Sequence, residues 1–237
     1  MRGIGLMLGG MLVSATIVVP AWSQGAPAAA VDQASFAVTY IDVAPSSAAE
    51  AANLLKEAAS ASRKEPGNIR YEVLRRIGDA DTEFAILEAW ADAKALQAHN
   101  AGAATKQFRE KLKPLQVGYY DERPSLGVLL GTVTAAAGTN SAVYVLTHVD
   151  IAGTNNRDAA NEMLKQMSEG GRKEPGAVRF EVWQQANRPN HFTVVEVWKD
   201  AASRDSHVVA ASTRALRDKF GPIIGALYDD RVYRGVE

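Results

Sequence analysis

The chain has 237 residues, with 26 Lys and Arg against 27 Asp and Glu, a formal charge of −1, and 47% hydrophobic residues. This is the composition of a globular protein of one or two domains, and its balanced charge lacks the basic excess of a nucleic-acid binder or a polybasic membrane-surface protein. The absence of cysteine excludes disulfides, thiolate metal sites, iron–sulfur clusters and a cysteine nucleophile, and four histidines argue against a rich metal site.

The first segment reads as an export signal. Arg2 is a short positive start, Ile4 to Val19 is apolar and uncharged, Pro20 breaks the run, and Ala21-Trp22-Ser23 fits a small-x-small cleavage site before Gln24. Sixteen residues with several glycines fall short of the ~20 needed to span a bilayer. The expectation is a signal peptide over 1–23 and a secreted or periplasmic protein with no membrane attachment after cleavage. Residues 24–34, rich in Ala, read as a disordered leader. The n-region has no Arg-Arg pair, so export of a folded, cofactor-loaded protein is not indicated.

From residue 35 the elements follow in order. Residues 36–43 are β-branched and aromatic, a strand. Ser46-Ser47 is a helix start, and the Ala/Leu/Glu/Lys stretch after it is a helix ending on Arg63-Lys64, stopped by Pro66-Gly67. Residues 69–77 and 82–90 form a hairpin across Gly78-Asp79. Two short helices follow, around 92–99 and 105–112, and a last strand begins after Pro114. Residues 125–141 read as a Gly/Ala/Thr linker with an apolar start at 126–130.

The same unit is then written again. Arg63-Lys64-Glu65-Pro66-Gly67 recurs as Arg172-Lys173-Glu174-Pro175-Gly176, Trp90 as Trp198, His99 as His207, and Tyr120-Asp121 as Tyr228-Asp229. The domains are 35–124 and 142–237, each β-α-β-β-α-β, a ferredoxin-like α+β unit. In the third strand Phe84, Ile86, Glu88 and Trp90 share one face and Ala85, Leu87 and Ala89 the other. With both faces largely apolar, the sheet needs two covers. Its own helices supply one and the second copy supplies the other, giving a closed intramolecular pseudo-dimer from a single chain.

The pattern Lys-Glu-x-Gly-x-x-x-[Tyr/Phe]-Glu, then Phe-x-x-x-Glu-x-Trp-x-Asp, then a His nine residues after the Trp, is present twice. It resembles the antibiotic biosynthesis monooxygenase domain. The resemblance implies the dimeric α+β barrel, here with both halves in one chain, and members that include cofactor-independent monooxygenases of quinols and anthrones and heme-degrading enzymes. It also implies that His99 and His207 line a pocket between helix and sheet. A second His common in quinol-acting members is replaced by Ala103-Ala104-Thr105 and Ala211-Ser212-Thr213. Residues 104–113 and 212–221 hold no axial His for heme.

The expected activity is therefore oxidation of a small electron-rich aromatic by dioxygen with no cofactor and no metal. His99 and His207 are the candidate bases, because histidine changes charge near neutral pH. Trp90, Trp198, Tyr40, His148, Glu88 and Glu196 are candidate pocket residues. Position 40 is Tyr where its repeat partner 148 is His, so His148 with His207 would equip the second half better. A hairpin that pairs Glu72 with Glu88 and Glu181 with Glu196 sets carboxylates opposite one another, with Arg70 and Arg179 beside them as an outward-facing ladder or a tuned acid/base pair. The alternative to an enzyme is a non-catalytic module binding a small aromatic or hydrophobic molecule; heme binding is the third reading.

Overall fold

The computed structural model describes residues 33–78, 81–131, 141–226 and 229–236. The expected signal segment, nearly all of the leader and most of the linker lie outside them. The first half contains β1 (Ser35–Asp42), α1 (Ala48–Ser62), β2 (Asn68–Arg76), β3 (Glu83–Trp90), α2 (Ala93–Ala101), α3 (Ala103–Leu112) and β4 (Asp121–Leu129). The second contains β5 (Val143–Asp150), α4 (Arg157–Gly171), β6 (Ala177–Gln185), β7 (His191–Trp198), α5 (Ala201–Val209), α6 (Ala211–Phe220) and β8 (Asp229–Gly235).

The strands close into one barrel in the order β1-β3-β2-β8-β5-β7-β6-β4, every described pairing antiparallel. Each half supplies four strands in the ferredoxin-like order, and the two halves meet where β2 pairs β8 and β4 pairs β6. Closure removes the exposed sheet edges that an isolated unit would carry. The two apolar faces are used as expected. Phe84, Ile86 and Trp90 pack outward against Ala51 and Leu55 of α1 and Phe108 of α3. Ala85, Leu87 and Ala89 face the lumen, in one cluster with Tyr144, Trp183 and Val195 of the other half.

The segment 125–129, read as the start of a linker, is strand. Ser125 pairs with Phe36 and also with Gln185, and Leu129 pairs with Val182. The strand itself is the seam between the halves, with Leu129 packed on the core of the second half while Leu126 and Val128 are exposed. The Arg63-Lys64 pair also differs from expectation. α1 ends at Ser62, and the Arg63 Nε donates to the Tyr71 carbonyl at 2.9 Å instead of serving the helix end. The Asp two residues after each Trp acts locally. Asp92 and Asp200 cap α2 and α5, each Oδ1 accepting from the backbone N–H three residues on at 2.8 Å.

The Pro-Gly after each long helix is required by geometry. Gly67 and Gly176 have φ of 81° and 87°, and a Cβ there would come within 2.6 Å of the Ala95 Cβ and 2.2 Å of the Ser203 Oγ. Their carbonyls accept from Ala91 and Lys199, tying the turn to the end of the hairpin. Gly67→Ala should lower stability by about 2 kcal/mol, through left-handed backbone strain plus the Ala95 clash. A urea unfolding midpoint equal to wild type would refute this.

Candidate functional site

The site begins with a register. One residue is extra in β2 and in β6, Ile69 and Val178, where the ladder with β3 and β7 shifts. Beyond the bulge Tyr71, not Glu72, stands opposite Glu88, and Phe180, not Glu181, stands opposite Glu196. The expected carboxylate opposition does not occur. A one-residue slip turns a side chain to the other face of a strand, so Glu88 and Glu196 lie under the helices while Arg70, Glu72, Arg179 and Glu181 fill the lumen. The ladder is not outward-facing: all four are at most 6% exposed.

Under the helices each half builds the same polar chain. The Trp90 indole N–H donates to Glu88 Oε2 at 2.9 Å, and the His99 Nε2 lies 3.6 Å from that oxygen. The other ring nitrogen, Nδ1, is 3.0 Å from Glu65, in the turn after α1. Trp90 stacks on the imidazole, ring centroids 4.6 Å apart. The second half repeats this with Trp198 to Glu196 at 2.9 Å, His207 to Glu196 at 3.8 Å, and His207 to Glu174 at 2.9 Å. Thr105 and Thr213 each approach the imidazole Nδ1 at 3.4 Å. Burial pushes the Glu88 carboxyl up to about 8, against the opposing Trp90 hydrogen bond, with Glu122 and Glu65 raising it further and Arg109 lowering it. Burial raises Glu196 as well, partly offset by His207. A cavity of about 30 Å³ lies beside His99, lined by Ser62, Glu65, Tyr71, Thr105 and Phe108, room for roughly one water molecule.

Tyr40 and His148 stand elsewhere. They share the lumen face with Phe36, Val38, Tyr144 and Leu146, their rings 5.0 Å apart edge to face. His148 is therefore on the opposite side of the sheet from His207, and the two do not form one site. The Tyr40 ring has the Arg123 guanidinium at 5.0 Å and that of Arg231 at 5.4 Å. Burial, then Arg123 and Arg231, pull His148 down to about 4, so it is neutral at neutral pH.

Deeper in the lumen the four charged residues pair crosswise between the halves. Arg70 forks onto Glu181 at 3.3 and 2.8 Å, and Arg179 forks onto Glu72 at 3.3 and 2.6 Å. The Tyr144 hydroxyl donates to Glu72 at 3.0 Å, and the Trp183 indole N–H to Glu181 at 3.1 Å. Burial alone would raise Glu72, but Arg179 and then Arg70 outweigh it and hold the carboxyl below its usual range.

Several residues of the helix-side site escaped the reading of the sequence. Arg109 donates to Glu122 at 2.6 Å, and Arg217 to Asp230 at 2.7 Å. Both pairs recur at the repeat offset, which is the signal that marks them. Glu65 and Glu174 stand inside the Arg-Lys-Glu-Pro-Gly motif, whose glycine requirement hid the role of the neighbouring acid. Among the described residues no three His, Asp or Glu side chains are grouped to hold a metal ion.

The comparisons agree with this architecture. The profile of the antibiotic biosynthesis monooxygenase family matches residues 35–111 and again 143–219. YcnE of Bacillus subtilis, whose name proposes a monooxygenase role, is 34% identical over 76 residues, 32% of this chain and 79% of that protein. A solved structure from Fusobacterium nucleatum, titled as a proposed monooxygenase, superposes with a TM-score of 0.76 at 16% identity, covering 86% of this chain and 93% of the other. An anthrone oxidase-like protein superposes at 0.67 with 13% identity, covering 89% and 94%; at these identities the likeness shows the fold. Matched by one profile in both of its copies, the chain belongs to the antibiotic biosynthesis monooxygenase family and carries two of its domains in tandem.

Proposed function

We propose that this protein is a monooxygenase that oxidises a small electron-rich aromatic of the quinol or anthrone type with dioxygen, without an added cofactor. The observation that carries the reading is the buried His–Glu pair beneath Trp90 and Trp198, present in both halves of a chain of this family. A proton acceptor in an apolar, aromatic-walled site is what such chemistry needs. Deprotonation gives an aromatic anion that reduces dioxygen itself. For an anthrone-type substrate the ring CH2 becomes C=O, one oxygen atom is inserted, and the second leaves as water with the two hydrogens. In this reading His99 and His207 take the proton, and the indoles of Trp90 and Trp198 wall the site. Typical ligand pockets measure hundreds of Å³, so a substrate beside His99 needs more room than the closed cavity offers, and a shift of α2 and α3 off the sheet would supply it.

The size of the closed cavity and the seating of the imidazole between two carboxyl groups favour a second reading, a module that binds a small hydrophobic molecule without turnover. Oxygen uptake separates the two. Purified protein is given hydroquinones, anthrones and catechols without cofactor, beside His99→Ala, His207→Ala and the double variant. Uptake above autoxidation that falls at least tenfold in the double variant is expected, and the single variants assign the working half. Uptake unchanged by all three variants removes the histidines from the chemistry, and no uptake on any substrate favours the binding module. Export is part of the proposal: the secreted or periplasmic chain starts at Gln24, which N-terminal sequencing of the exported protein tests.

A further inference from the structure

The helix-side polar chain connects two very different environments. At one end Glu88 is 1% exposed, and at the other the side chain of Glu65 is 28% exposed, with the His99 imidazole between them. In the second half Glu196 is 3% exposed, and Glu174, 25% exposed, lines an open groove with Lys199, Asp200, Ser203 and Ser206. Each imidazole thus has one nitrogen on a buried carboxyl and the other on a carboxylate that meets water.

We infer that each half contains a proton relay, Glu88–His99–Glu65 and Glu196–His207–Glu174, that moves a proton between the carboxyl buried under the helices and solvent. Such a path is redundant for a histidine that only fills space, and it gives the acid in the motif turn a positioning and transfer role that nothing else in the fold demands. The Nδ1 position within 3.1 Å of both Glu65 oxygens places the resting imidazole proton on Nδ1. On release, Nε2 takes the Glu88 proton while the Nδ1 proton passes to Glu65 and from there to water. Glu88 is left a carboxylate and the imidazole carries its proton on Nε2. Uptake reverses the three moves. The gaps of 3.6 and 3.8 Å at Nε2 lie a little beyond hydrogen-bond distance, so the imidazole must close them for transfer.

The charges around the buried carboxyl suit proton release. Glu88 is faced by His99 from α2, Arg109 from α3, Glu122 from β4 and Tyr120 just before it, Tyr71 from β2, Trp90 from its own strand, and Glu65 from the turn. Arg109 is engaged with Glu122, so the buried carboxyl lacks a full counter-ion. Burial keeps its proton on through neutral pH, with release near pH 8.

The test uses the resting protein and no substrate, so its failure is separate from failure of the proposed oxidation. In a Glu196→Gln background, infrared spectroscopy follows the carbonyl stretch of the protonated Glu88 acid, identified by its loss in Glu88→Gln. After a jump from pH 6 to pH 9.5 the band should decay at a rate that fast-mixing infrared detection resolves. His99→Gln should slow that loss at least tenfold, and Glu65→Gln should slow it by a smaller factor. A merely structural His99 predicts the opposite, since a loosened helix admits water and speeds deprotonation. Equal or faster loss in His99→Gln and Glu65→Gln overturns the relay, as does the absence of a Glu88-dependent acid band at pH 6. Should His99→Gln fail to fold, Glu65→Gln, at the solvent end, decides alone.

Discussion

Replacing Arg70 with methionine should lower the free energy of unfolding by about 3–5 kcal/mol, the cost of leaving buried charge unpaired. Arg70 is 2% exposed, forks onto Glu181 across the barrel and lies 3.3 Å from Glu72 by its Nε. Its loss strands Glu181, which among the described residues keeps the Trp183 N–H at 3.1 Å and a distant Arg179 contact at 3.9 Å. The pair itself need not be a net source of stability, because desolvating two ions offsets most of their attraction. The double variant Arg70→Met, Glu181→Leu should therefore cost clearly less than the sum of the two single changes, with a coupling above ~1 kcal/mol. Urea unfolding of the four proteins in this cycle provides the measurement, and strictly additive losses would contradict the crosswise pairing. The same cycle on Arg179 and Glu72 should behave alike, with the Tyr144 hydroxyl in place of the Trp183 indole.

Stability should also depend on pH in a way set by two buried groups of opposite sign. Glu88 is raised from 4.5 to about 8, so between those values the folded chain holds a proton that the unfolded chain has lost. That contribution favours folding least at high pH: stability falls by about 1.4 kcal/mol per pH unit through the window and levels off above it. His148 is lowered from 6.5 to about 4, so between these values the unfolded chain binds a proton that the folded chain refuses. Its contribution is lost as pH falls, by about the same slope. Between pH ~4.5 and ~6.5 the Glu88 and His148 slopes oppose each other, from ~6.5 to ~8 the Glu88 loss is unopposed, and Glu196, also raised from 4.5, adds to the fall. Thermal or urea unfolding should show a shallower dependence below pH 6.5 and a steeper decline between pH 6.5 and 8, about 2 kcal/mol of it from Glu88. Glu88→Gln keeps an acceptor for the Trp90 indole and removes its share of the decline. His148→Gln should let stability rise more steeply toward acid between pH ~4.5 and ~6.5 than it does in the parent. A decline that Glu88→Gln leaves unchanged would show that another group drives it.

Much of the architecture was legible because it rests on local chemistry and on repetition. The recurrence of Arg-Lys-Glu-Pro-Gly follows from a turn that needs φ above 80° against Ala95 or Ser203. The Asp after each Trp follows from helix capping. The double-sided apolar pattern of β3 implies a second cover, and a second copy in the same chain provides it. The nearness of His99 to Trp90 and of His207 to Trp198 follows from a short helix that starts after a gap of two residues past the strand.

What the sequence by itself determined, then, was the pair of units, the order of their elements and the closure of two sheets on each other. Only the tertiary structure decided which face each polar residue occupies. One extra residue at Ile69 and at Val178 reverses the facing of everything after it relative to the partner strand, and nothing in the local residue types announces a bulge. That single step separates Glu72 from Glu88, sends two Arg–Glu pairs into the lumen and leaves Glu88 with a histidine for company. It takes the closed barrel to bring Tyr40 to His148 and Arg70 to Glu181, because these contacts span residues more than a hundred positions apart and depend on strand tilt and register, not on pattern.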